Sequence, residues 1–245
     1  RNTIYTDNIS YFKNKNLIVT NGNSRFINTN DNLEISAEIF EYHKFKNKVI
    51  AKNNVIAEDK IQKYKIFSNN ITYLKSEEKI YTKDKTKILI QDRYEFNSKD
   101  VVFLKNEMEL ISENKSTILD KKSKFYSLSN FKYLIRDKEL RGENITFISN
   151  YNLPKSDKYY FSSGIINLHD NKFFAKDTKI KVHKDIFDNT ENDPRIAGVS
   201  SRSDGNVTFI NKGVFTSCKK TDKCPPWSIT AEKISLSLIL EEPDN

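Results

Sequence analysis

The chain has 245 residues, 41 Lys and Arg against 33 Asp and Glu for a formal net charge of +8, and 37% hydrophobic residues. That suits one ordinary or elongated domain, and no stretch approaches the ~20 consecutive apolar residues of a membrane-spanning helix. Six Gly and five Pro exclude collagen-like and Pro-rich classes, while 16 Phe and 12 Tyr supply the β-forming apolar groups that disordered chains lack.

From the N-terminus a short signature recurs: apolar, any, small, any, any, apolar, any, aromatic. It reads Ile4-Thr6-Ile9-Tyr11, then Ile35-Ala37-Phe40-Tyr42, Ile66-Ser68-Ile71-Tyr73 and Phe96-Ser98-Val101-Phe103. Looser copies follow at Tyr126-Leu128-Phe131-Tyr133, Phe161-Ser163-Ile166-Leu168 and Ile229-Ala231-Ile234-Leu236, with Ile196-Gly198 as a degenerate copy in the last gap. The period is about 30 residues, which marks a stacked-repeat architecture. A second landmark trails each of the first five copies at a fixed distance: Ile18, Val49, Ile80, Leu110 and Leu140, each followed two residues on by Thr20, Ala51, Thr82, Ser112 and Gly142.

Each unit therefore predicts two or three short strands of period two, joined by polar turns such as Lys13–Asn16 and Ser76–Lys79. No capped helical stripe interrupts them. The step of three from Thr6 to Ile9 would send Ile9 to the opposite face of a flat strand. A bulge or corner there returns it to the same face and bends the strand. Repeated in each unit, that bend folds the sheet into a trough or flattened sandwich that buries its apolar face against itself and its neighbours. Two readings of the interior follow: a filled core, or a trough that accepts an elongated apolar ligand. Small residues at Thr6, Ala37, Ser68, Ser98, Ser163 and Ala231 fit either, because they leave room and also let two sheet halves approach.

The stretch from Asn189 to Trp227 departs from the repeat, with Asn192-Asp193-Pro194-Arg195-Ile196-Ala197-Gly198-Val199-Ser200-Ser201, then Phe215-Thr216-Ser217-Cys218, then Cys224-Pro225-Pro226-Trp227-Ser228-Ile229. The repeat resembles the OstA-type repeat of lipopolysaccharide (LPS) transport proteins, shared by the LptA and LptC families. The segments Asn192–Ser201 and Phe215–Ala231 resemble the periplasmic N-terminal domain of the LptD (organic solvent tolerance) family of LPS-assembly proteins, alphaproteobacterial type. The resemblance implies an all-β fold, an OstA-type β-jellyroll or β-taco, over 1–234 as a single elongated domain. It also implies a hydrophobic interior that receives LPS acyl chains from a periplasmic bridge and passes them to an outer-membrane barrel. The partners so implied are LPS, an LptA-like bridge protein added at an edge strand, LptE and the barrel, at the periplasmic face of the outer membrane of a Gram-negative bacterium.

Carried onto this sequence, the lipid-binding interior would comprise Ile4, Ile9, Tyr11, Ile35, Phe40, Tyr42, Ile66, Ile71, Tyr73, Phe96, Val101 and Phe103. Cys218 matches a family cysteine that forms a long-range disulfide with the barrel. Cys224 is its local partner or a second bridging thiol; free thiols are the alternative. Residues 235–245 depart from the family and are expected to be a truncated or non-native tail, the barrel being absent. A free-standing LptA-like bridge protein and a structural β-solenoid with a filled core remain the alternatives.

Catalytic chemistry finds no foothold. His43, His169 and His183 are far apart in the repeat frame, and phosphate loops, nucleophile elbows and metal-ligand motifs are absent from the sequence. The acidic run from Asp185 to Asp193 lacks the alternating ligands and central Gly of a calcium loop, and two cysteines without a nearby histidine are too few for zinc. No enzyme activity, cofactor or metal is expected. Nor is nucleic acid, because lysines such as Lys13, Lys15, Lys44, Lys46, Lys48, Lys79 and Lys83 fall mainly in turns and alternate with Asp and Glu. A smaller role for lysines at the trough rim is to pair with LPS phosphates.

Overall fold

The computed structural model describes residues 2–30, 32–187, 192–219 and 227–237. Eighteen strands and four short 3₁₀ turns make up the described residues. The strands are β1 (Asn2–Tyr5), β2 (Asn8–Phe12), β3 (Leu17–Asn28), β4 (Leu33–His43), β5 (Lys48–Asp59), β6 (Tyr64–Leu74), β7 (Lys79–Ile90), β8 (Tyr94–Lys99) and β9 (Val102–Leu104). They continue as β10 (Glu109–Ser112), β11 (Ser116–Asp120), β12 (Lys124–Leu134), β13 (Glu139–Ile148), β14 (Lys158–Asn167), β15 (Phe173–Lys181), β16 (Arg195–Ser203), β17 (Val207–Thr216) and β18 (Ile229–Ser237). The chain forms the expected all-β jellyroll of antiparallel strands. It divides into two compact units, Arg1–Lys121 with Asn130–Ile135, and Lys122–Ser129 with Arg136–Asn245.

In the first unit the fixed spacing of the two landmarks has a direct cause. Phe40 pairs with Ala51 and Tyr42 with Val49 across β4 and β5; Ile71 pairs with Thr82 and Tyr73 with Ile80 across β6 and β7. The second landmark is thus the hairpin partner of the first. The predicted turns close these hairpins as 3₁₀ segments at Lys13–Lys15, Lys44–Lys46 and Lys75–Glu77, each ended by a left-handed residue: Asn16, Asn47 and Glu78. Successive turns stack, with Lys44 N donating to Asn16 O and Lys75 N to Asn47 O, both at 3.0 Å.

The corner predicted from the step of three is present. Register shifts lie between Asn21 and Ser24, Ser36 and Ile39, Lys52 and Val55, and Ser68 and Asn70. Left-handed backbone at Gly22 (φ 84°), Asn53 (64°), Asn54 (48°), Asp84 (67°) and Asp100 (48°) turns the chain there. Gly, Asn and Asp tolerate this region at the least steric cost. Each bend divides a strand into two arms, and the arms pack face to face. Tyr64 of one arm meets Phe103 of the other at 4.7 Å between ring centroids, and Tyr94 meets Tyr133 at 6.4 Å, both edge to face.

A bulge leaves backbone groups unpaired, and small hydroxyl residues along the crease take them up. Thr20 Oγ1 accepts from Phe40 N at 3.1 Å, and Thr82 Oγ1 accepts from Val101 N at 2.9 Å. Hydroxyl pairs bridge the crease between segments at Thr6–Ser24 (2.8 Å) and Ser98–Ser116 (2.7 Å), and within β7 Thr86 Oγ1 donates to Thr82 Oγ1 at 2.7 Å. The signature residues Thr6, Ser68 and Ser98 therefore line the crease as bonded partners; Ala37, Ser68 and Ser98 are buried there.

The second unit repeats the device at Asn144 (φ 50°), Asp177 (49°) and Lys212 (48°), with Thr178 and Ser201 hydroxyls 2.6 Å apart. Its core is aromatic: Tyr159, Phe161 and Phe173 contact one another at 5.1–6.3 Å between centroids.

Candidate functional site

Cross-strand register turns the repeated apolar positions into continuous rows. On one arm of the first unit a row runs Ile4–Phe26–Ile35–Ala57–Ile66–Ile88–Phe96–Ile118. On the other arm a row runs Tyr11–Ile18–Tyr42–Val49–Tyr73–Ile80–Phe103–Leu110–Tyr133. Ile9, Thr20, Phe40, Ala51, Ile71 and Thr82 form a third, nearer the crease. Eleven of the twelve residues predicted from sequence thus belong to shared lines; Val101 lies between β8 and β9, outside them, its carbonyl accepting from Thr82 N at 2.9 Å.

Their exposure differs along those lines. Ile35, Phe40, Ile66, Ile71, Tyr73, Phe96, Val101 and Phe103 are all at most 1% exposed. Ile4 and Tyr42 are half-buried, and Ile9 and Tyr11 stand 61% and 52% exposed. The interior is uncovered at the N-terminal edge and closes within two strands. In the second unit the row Tyr159–Ile180–Ile196–Phe215–Ile229 opens likewise, from 1% exposure at Tyr159 to 56% at Ile229 on β18.

Deeper in, the arms meet tightly. The gap between Tyr64, Ile66, Ile88, Ile90, Phe103, Leu110 and Ile135 amounts to about 140 Å³ and is nowhere wide enough for a water molecule. Burial pushes the Tyr133 and Tyr159 hydroxyls well above the usual tyrosine range, so the interior carries no charge from them at any ordinary pH. Among the described residues no three His, Cys, Asp or Glu side chains converge as a metal ion requires. No helix of the described residues is long and apolar enough to cross a membrane.

Sequence reasoning missed one inward row. Leu33, Tyr64, Ile90 and Tyr94 are joined in register and buried, two residues before the signature in three cases. Continuing the period-two pattern backwards from Ile35, Ile66 and Phe96 would have found them. The same row holds two buried carboxylates. Asp59 accepts from Ile61 N and Gln62 N at 2.8 and 2.9 Å, and Asp120 takes a two-point bond from Arg93 at 2.9 and 2.8 Å.

The two segments that depart from the repeat form one local unit. β16 pairs with β17 from Arg195↔Thr216 onward, and Arg195 Nη1 donates to Cys218 O at 2.6 Å and Asp193 O at 3.0 Å. Thr216 Oγ1 donates to Trp227 O at 2.9 Å, and Trp227 packs on Phe215 at 5.8 Å. Cys218 is buried, its Sγ 3.6 Å from Trp227 O. Cys224 lies outside the described residues, and with it the pairing expected of Cys218. The expected tail at 235–245 is described only to Ser237, where β18 pairs with β17.

No sequence-family model matches the chain, and no curated protein sequence matches it. Among solved structures it is similar to LptH of Pseudomonas aeruginosa, described as the LptA-homologous periplasmic component of the conserved lipopolysaccharide transport device. The identity is 13% and the TM-score 0.42, over 45% of this chain and 80% of that one.

Proposed function

We propose that this chain is a non-enzymatic, periplasmic carrier of lipopolysaccharide acyl chains, a module of a bridge that ends at an outer-membrane barrel. The supporting observation is the apolar row that runs unbroken from the exposed Tyr11 and half-buried Tyr42 to the buried Tyr73 and Phe103. A row uncovered at a sheet edge is completed by a second module that adds a strand there and continues the same line. β1 and β2 are that edge, facing an LptA-like partner. The resemblance of the 192–229 region favours an LptD-type assembly with LptE over a free-standing bridge protein, and there Cys218 and Cys224 act as bridging thiols. Movement along the interior exchanges one apolar contact for a similar one. Each CH₂ kept from water is worth ~0.8 kcal/mol, so retention of a multi-acyl lipid requires no specific chemistry.

The close meeting of the arms favours a second reading, a scaffold with a permanently filled core. The two separate in one experiment: a photo-crosslinking residue placed at Tyr11, Tyr42 or Tyr73, with LPS offered to the folded domain. The carrier crosslinks LPS at all three positions once the arms part. A scaffold crosslinks at Tyr11 alone or nowhere, and that result removes the carrier reading.

A further inference from the structure

The outer face of the first unit, opposite the apolar rows, holds a groove of about 750 Å³ across β5 to β8 and the start of β11. Ile56 and Phe67 are direct cross-strand partners and form its floor, continued by Lys87 and Asn97. One wall is a row of lysines. Lys85 faces Lys99 directly across β7 and β8. Thr117 pairs with Asn97, and the Ser116 and Ser98 hydroxyls meet at 2.7 Å, which sets Lys115 opposite Lys99 on the other side.

Like charges directly opposed across a sheet destabilise it. Lys87 is neutralised by Glu95 at 2.8 Å, but Lys85, Lys99 and Lys115 form no ion pair among the described residues. Two crease carboxylates stand beside them, Asp84 and Asp100; Asp100 accepts from Asp84 N at 2.9 Å and Asn114 Nδ2 at 3.5 Å, and neither is ion-paired to these lysines. Three exposed ammonium groups on adjacent strands suit a doubly charged oxyanion, which bridges cations that a single carboxylate cannot. The rest of the lining is that of a sugar site. An apolar floor takes the C–H face of a ring, and the amides of Asn69 and Asn97 offer hydrogen bonds to hydroxyls; Asn97 Nδ2 already donates to Glu95 at 3.1 Å. The size is that of a small-ligand pocket.

We infer that this groove binds a phosphorylated oligosaccharide, its phosphate between Lys85, Lys99 and Lys115 and a sugar ring over Phe67. The site stands apart from the apolar interior and does not require the carrier reading. If that reading holds, the headgroup of a carried glycolipid is its occupant.

The test is calorimetric titration of the intact chain with a bis-phosphorylated glucosamine disaccharide lacking acyl chains. Lys85→Gln/Lys99→Gln/Lys115→Gln should weaken binding by about tenfold or more, with the melting temperature held. Lys13→Gln/Lys15→Gln/Lys46→Gln removes the same charge from exposed turns and should leave affinity within about twofold. The unphosphorylated disaccharide should not bind. Equal affinity in the groove variant overturns the site. Binding of inorganic phosphate or a single-stranded oligonucleotide as tight as that of the disaccharide overturns its saccharide character. LPS crosslinking at Tyr73 reports on the interior alone, so either inference can fail without the other.

Discussion

Ile9 is 61% exposed, whereas Phe40 and Ile71, at the same place in the next two copies of the repeat, are 0% and 1% exposed. The residues around them are alike and the backbone bends alike. What differs is the number of neighbours: β2 has β3 on one side, while β4 and β6 lie between strands on both. No copy owns a core. Each borrows burial from the copies beside it, as stacked repeats do, so the outermost one is left with apolar groups that another chain's strand can cover. The edge and the centre are one structure at two stages of completion.

The largest effect should come from cutting the centre where the edge is indifferent. Phe40→Ala opens a cavity between tightly packed arms and should cost about 3–5 kcal/mol. Ile9→Ala, on a surface already wet, should stay within about 0.5 kcal/mol. Urea unfolding followed by circular dichroism reads both. Equal losses would mean that the edge is packed in solution, by a second copy or a partner, and the comparison would then fail.

The crease gives a smaller contrast. Asn53 and Asn54 carry consecutive left-handed conformations in the middle of β5. A β-branched residue resists that region, so Asn53→Val should cost about 1–2 kcal/mol by backbone strain, while Asn53→Gly should stay near wild type. Matching losses for Val and Gly would trace the effect to the lost Asn53–Glu38 hydrogen bond at 3.1 Å instead.

The crease itself was legible from the spacing, because an odd step between two inward residues allows few geometries. The residues that turn it were not. Asn53, Asp84, Asn144 and Asp177 look like ordinary turn formers in a chain rich in them, and only the structure separates those inside strands from those between strands. Nor could exposure be read at Ile9 and Tyr11, since a sheet residue's burial is set by strands far away in sequence. The lysine row escaped for a related reason. Along the chain Lys85 and Lys99 each alternate with other residues, and they become neighbours only through the β7–β8 register. The expectation that lysines sit mainly in turns holds for Lys13, Lys15, Lys44 and Lys46; it fails for these two and for Lys48, Lys79 and Lys83, which lie in β5 and β7.

Acid should act on the centre through weak surface pairs. The Lys65 ammonium, hydrogen-bonded to Glu58 at 2.8 Å, holds that carboxyl below the usual range, with Lys60 adding to it; burial opposes them. Lys87, then Asn97, does the same for Glu95. A carboxyl whose folded pKa is depressed contributes stability that is full above its unfolded value of about 4.3 and is lost as pH falls through the lower folded value. Both pairs are partly solvated, so each should be worth less than about 1 kcal/mol. The urea midpoint should therefore stay level from neutrality down to about pH 5 and fall below about pH 4. Lys65→Met should leave Glu58 with less to lose and make that fall shallower. If Lys65→Met lowered the midpoint equally at all pH values, the ammonium would be acting through the Phe67 ring, which it approaches at 6.0 Å, and not through Glu58.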